Sequence, residues 1–179
     1  MIFEILIHYI YMETNVKLYA LKYNQAKTYL MATLFVVGNI LLPQLCHLVP
    51  QGGLTFLPIY FFTLIAAYKF GWQVGLLTAV FSPLVNSALF SMPAPAVLPS
   101  ILIKSVLLAL MAAYMAQRTQ KAQLWMFFVV VLGYQLVGSL VESLMVGSFA
   151  QGFQDFRIGI PGMLIQIFGA FALIHLFKK

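Results

Sequence analysis

The chain has 179 residues, of which 8% are charged and 63% hydrophobic, against roughly a quarter charged in an ordinary soluble domain. A globule of this size cannot bury that much hydrocarbon, because a small protein keeps a large share of its surface in contact with its surroundings. The composition excludes a soluble enzyme, a disordered tail and a disulfide-stapled secreted scaffold, and it specifies an integral membrane protein.

Only helices and closed barrels satisfy their backbone in lipid, and a membrane helix takes about 20 apolar residues. The apolar runs here are continuous rather than alternating, which selects an all-α architecture. Residues 1–27 come first, as a cytoplasmic or interfacial segment. Met1 to Met12 is apolar, yet Glu4 stands where a signal peptide carries positive charge, and no small-residue cleavage site follows. The stretch reads as an interfacial helix or as an upstream extension with initiation at Met12. The second is preferred, because Met12 leads straight into a polar, basic segment.

One compact membrane domain, residues 28–179, then holds six transmembrane helices. The expected spans are Thr28–Leu48, Leu54–Phe70, Trp72–Phe90, Ala96–Arg118, Gln123–Val146 and Arg157–Leu176. Gly and Pro mark the joints at Pro50 to Gly53, Gly71, Met92 to Pro95 and Gly147 to Gly152. Under this arrangement Lys17, Lys22, Lys27, Lys69, Arg118, Lys121, Lys178 and Lys179 all fall on one side. Only Arg157 falls on the other, and Lys104 lies inside a span. The positive-inside rule therefore places both termini in the cytoplasm, and the expected location is a bacterial-type inner membrane. The net charge of +6 is thus a topology signal rather than a nucleic-acid footprint.

With orientation set, the buried polar residues gather in the outer half. Gln44 and His47 lie at the outer end of the first span, and Asn86 in the outer part of the third. Lys104 is about two turns into the fourth. In the fifth, Gln135, Gly138, Ser139 and Glu142 share one helical face; in the sixth, Gly159, Gly162, Gln166 and Gly169 do. The small residues and amides serve close helix packing and interhelical hydrogen bonds. Lys104 and Glu142 are costly at such depth, at least about 2.5 kcal/mol each near the bilayer centre, so neither faces lipid. They form either a structural ion pair between neighbouring spans or the charged lining of a water-accessible cavity. Asp155 and Arg157 read as a solvated pair in an outer loop. The candidate substrate-binding residues are Lys104, Glu142, Gln135, Gln166, Asn86, His47, Gln44 and Arg157. Tyr60 and Trp72 have no special standing.

No catalytic constellation accompanies them. The chain has no phosphate loop, GxGxxG, HExxH or GxSxG pattern, and no Cys/His spacing for a metal; Cys46 is the one cysteine. No cofactor and no enzymatic activity are expected. An assembly or cell-shape protein of the membrane is the alternative reading, one in which Lys104 and Glu142 simply pair.

The stretch Phe56–Pro93, FLPIYFFTLIAAYKFGWQVGLLTAVFSPLVNSALFSMP, resembles the second and third helices of the substrate-binding (S) components of energy-coupling-factor vitamin transporters. Both have a helix closing on a short FG turn, followed by a Gly/Ala-rich helix ending in a Pro-bearing outer loop. The six-span topology with both termini inside extends the resemblance over residues 28–179. It implies capture of a vitamin-like small polar metabolite from outside, among helices four to six and beneath the first outer loop. It further implies a membrane coupling (T) component and two cytoplasmic ATPases as partners. One departure stands out. The family's first helix often carries an AxxxA contact for the coupling component, whereas Ala32 is followed here by Val36. Small pairs occur instead at Gly75/Ala79, Ala109/Ala113 and Ala112/Ala116.

Overall fold

The computed structural model describes residues 16–176, and every regular element among them is helical. Residues 1–15, on which the interfacial-helix and Met12-start readings fall, lie outside the described residues. Helix α1 covers Ala26–Cys46, α2 Gly52–Phe56, α3 Pro58–Phe70 and α4 Trp72–Phe90. Then come α5 at Leu98–Thr119, α6 at Leu124–Val146, α7 at Phe149–Gly152, α8 at Gln154–Ile158 and α9 at Ile160–Leu176.

Four of these, α1, α4, α5 and α6, are long and apolar enough to cross a membrane. At about 1.5 Å per residue they reach roughly 29–35 Å, against a hydrocarbon core of about 30 Å. The second and sixth expected spans are broken. Leu54–Phe70 divides at Leu57, which adopts φ 45° and ψ 47°, because Pro58 disfavours a right-handed helical residue before it and has no N–H to give. The expected start at Arg157 gives way to a break at Gly159, and α9 begins at Ile160 with Pro161 in its first turn. There the missing N–H costs nothing. Within α9, Ile165–Gly169 form a turn of π-helix. The two shortened helices span only about 20 and 25 Å.

The shorter α3 is the core of the bundle. Every residue from Thr63 to Phe70 is buried, and α1, α4, α5 and α9 pack around it. Small side chains permit that approach: Ala66, Ala67, Ala79, Ala109, Ala112, Ala113 and Ala116 are all buried. A Cβ on Gly75 would lie 2.5 Å from Ala67 Cβ. The small pairs of α4 and α5 therefore serve packing inside the bundle. A polar joint ties three helices together above them. Asn39 Nδ2 donates to Thr63 Oγ1 at 3.0 Å and to Ser82 Oγ at 3.1 Å, and its Oδ1 accepts from Phe62 N–H at 3.1 Å.

Polarity runs inside out relative to a soluble helix. On α6, Tyr134, Gln135, Gly138 and Ser139 face inward while Leu132, Leu136, Leu140 and Leu144 are exposed. On α1, Leu30, Leu34, Leu41 and Leu45 are likewise exposed. Such a surface suits hydrocarbon surroundings and leaves polar groups to pair within the bundle.

The two ends of the bundle differ. At one, Tyr19 and Leu21 N–H donate to the carbonyls of Lys69 and Phe70 at 2.8 and 3.1 Å. The ammonium groups of Lys17 and Lys27 sit 5.4 and 5.1 Å from the Tyr19 ring centroid, and Tyr68 Oη donates to the Lys121 carbonyl at 2.8 Å. This is a basic end. The opposite end holds the α1–α2 turn, the α4–α5 loop, α7 and α8.

Candidate functional site

The cation at the centre of that second end is Lys104, about 9 Å along α5 from its start. Gly138 on α6 makes room for it, since a Cβ there would come 2.5 Å from Lys104 Cγ. The side chain is fully buried, and its Nζ meets Glu142 Oε2 at 2.5 Å and Asp155 Oδ2 at 2.7 Å. Ser100, one turn before Lys104, donates its hydroxyl to Glu142 Oε1 at 3.0 Å. A lone ammonium in this interior is untenable, and two carboxylates hold it in place.

Asp155 reaches the cluster through local chain chemistry. Gly147 takes φ 70° to end α6, and the Ser148 hydroxyl caps α7 by accepting from Gln151 N–H. Gly152 then lies against the Ser143 backbone, where a Cβ would come within 2.5 Å of Ser143 Cα. That close approach folds α8 back over the end of α6, and Asp155 sits in the first turn of α8.

The two carboxylates open onto a cavity of about 450 Å³, within the usual range of small-molecule sites, roughly 300–1,000 Å³. Its walls come from Pro43 of α1 and His47 just past its end, Leu54 and Leu57 around α2, and Pro58 and Tyr60 of α3. Met92 and Pro93 of the α4–α5 loop and Val97, Ser100 and Ile101 at the start of α5 complete the apolar side. Glu142, Asp155, Gln51, Gln151 and Gln154 supply the polar one. Tyr60 is 1% exposed, and its hydroxyl has no hydrogen-bond partner among the described residues.

The structure separates the residues that the sequence grouped. Glu142 and His47 line the cavity, and Lys104 lies behind the carboxylates without lining it. Gln166 is in a deeper layer: it accepts from Tyr134 Oη at 2.9 Å and donates to the Leu57 carbonyl at 3.3 Å. That carbonyl belongs to the αL residue at the α2–α3 break and also accepts from Tyr60 N–H at 3.3 Å, so the amide adds a second bond there and ties α9 to the start of α3. Gln135 is fully buried, and neither amide atom finds a partner among the described residues. Asn86 belongs to the polar joint, donating to the Asn39 and Ser82 carbonyls at 2.9 Å each. Gln44 is half-buried and Arg157 exposed, and neither lines the cavity. Asp155 turns inward to Lys104, where the sequence suggested a solvated pairing with Arg157.

Asp155 and Tyr60 are the residues the sequence reading left aside. One signal for Asp155 was available: the chain has only four acids, so an acid near a buried lysine deserved weight. Tyr60 carries no such signal among nine tyrosines. Among the described residues no group of His, Cys, Asp and Glu has the makings of a metal site. The arrangement suits reversible binding: an apolar-walled pocket, two fixed carboxylates and a buried hydroxyl. Comparisons with protein-family models, with curated proteins and with solved structures each find no match.

Proposed function

We propose that this chain is the solute-capturing subunit of a membrane importer of the energy-coupling-factor type, with six membrane-crossing elements and both termini in the cytoplasm. The single observation that carries the reading is a ligand-sized cavity with charged walls at the end of the bundle opposite the basic end. By the positive-inside rule the basic end faces the cytoplasm, so the cavity opens outward. In this arrangement α3 and α9 cross with the help of the short helices that precede them, α2 and α8. The solute is a small polar metabolite of vitamin size. The chain carries no phosphate loop, so two separate ATPases and a membrane coupling component supply the energy and drive release inside.

Affinity purification of the tagged chain from its native membranes in mild detergent tests this. The expected result is co-purification of a second polytopic membrane protein with two nucleotide-binding subunits, and solute uptake that stops when those ATPases are inactivated. Uptake by the chain alone in proteoliposomes, or purification with cell-shape proteins in place of ATPases, overturns it.

A further inference from the structure

The charge cluster does not balance toward its cavity. Lys104 is fully buried and absent from the lining, whereas Glu142 and Asp155, at 14% and 16% exposure, both line it. One ammonium faces two carboxylates, so one unit of negative charge remains and is presented to the cavity. Among the described residues no lysine or arginine lines the cavity, and the one basic side chain there is the imidazole of His47. The other walls are mostly apolar, and an uncompensated charge in such surroundings is costly. Tyr60 is a second, independent feature. It lines the same cavity, is 1% exposed, and its hydroxyl lacks a partner among the described residues. A buried hydroxyl of this kind is one that a ligand satisfies.

From this we infer that the cavity takes an organic monocation, a protonated amine or quaternary ammonium on an apolar or aromatic body, with its charged group against Glu142 and Asp155 and its body along Tyr60 and Ile101. This deepens the capture reading and rests on it. A free carboxylate is disfavoured, because Lys104 is already engaged by two acids and the cavity would set like charges together. A bare metal ion is disfavoured too, since the described residues gather no metal-ligating group.

The test uses the full chain purified in detergent and a polar metabolite extract of the source cells, split by ion exchange into cationic, neutral and anionic pools. Each pool is dialysed against the protein and bound species are read by mass spectrometry. Enrichment is expected from the cationic pool alone, and Glu142→Gln and Asp155→Asn should each weaken it tenfold or more. Enrichment from the neutral or anionic pool overturns the cation assignment and leaves the capture reading standing. Enrichment from no pool overturns both. Cation binding unchanged in both variants removes the two carboxylates from the site. Each variant leaves Lys104 one acid partner; should either fail to fold, the wild-type pools still decide the charge class.

Discussion

Lys104 and Asp155 lie 51 residues apart in the chain, and their side chains meet at 2.7 Å. That contact, with the one from Glu142, makes α5, α6 and α8 parts of a single electrostatic unit. The acids contributed by the described residues, Glu142 and Asp155, both converge on this ammonium. The unit joins three helices on its buried side and presents both carboxylates to the cavity on the other.

Loss of the ammonium should therefore be more damaging than loss of either acid. Lys104→Met leaves two largely buried carboxylates side by side without a cation, a change of the kind that costs about 3–5 kcal/mol. Glu142→Gln or Asp155→Asn leaves a neutral pair and should lower the melting temperature less. The triple variant, with all three charges removed, should recover most of the stability lost in Lys104→Met. Melting curves in detergent measure the series. A Lys104→Met protein as stable as wild type would show that the cluster does not hold α8 in place.

The joint around Asn39 gives a second expectation. Its side chain serves Thr63, Ser82 and the Phe62 N–H, and the last of these lies where α3 has just begun and lacks a full helical ladder. Asn39→Ala should cost about 1–3 kcal/mol, the usual penalty for leaving buried polar groups unpaired. Asn39→Asp should not rescue it, since it removes the amide donor and buries a charge. The same melting assay applies, and a neutral Asn39→Ala would mean that the three helices are held by packing alone.

Close approach of α3 and α4 depends on Gly75. An alanine there places its methyl 2.5 Å from Ala67 Cβ and 2.8 Å from Ala67 Cα, so the helices must separate. Overpacking of this sort costs about 1–3 kcal/mol. Gly75→Ala should lower the melting temperature, and the combination with Ala67→Gly should restore part of it. Failure of the second change to rescue the first would place the strain elsewhere.

Orientation is open to chemical labelling. The native Cys46, half-buried near the cavity end, is first replaced by Ala. Single cysteines at Lys121, at the basic end, and at Gln151, on the cavity rim, are then treated with a membrane-impermeant maleimide in intact cells. Gln151→Cys should label and Lys121→Cys should not. The reverse pattern would turn the cavity toward the cytoplasm and end the capture reading.

The sequence by itself determined the class of molecule and most of its helices. Sparse charge and long apolar runs dictate helices in lipid surroundings, because no other open structure satisfies its backbone there. Trp72–Phe90 matches its expected bounds, and the ends of α5 and α6 lie within two residues of theirs, since Gly71, the Met92–Pro95 loop and Gly147 mark three of the joints and the polar, basic run from Gln117 to Lys121 marks the other. That Gln135, Gly138, Ser139 and Glu142 share one face of one helix was likewise visible, whereas the approach of Lys104 to Gly138 was not. The breaks at Leu57 and Gly159 were not, because apolar content is continuous across both and only backbone geometry interrupts it. The tertiary structure alone decided what the buried charges do. Asp155 reads as a loop acid until Gly152 packs against Ser143 and swings α8 over the end of α6. Gln166, Gln135 and Asn86 look alike in sequence, yet one ties α9 to the α2–α3 break, one is enclosed without a partner among the described residues and one joins α4 to α1. Hydropathy reports depth along a span, which local composition encodes; which polar groups meet depends on side chains distant in sequence, and only packing brings those together.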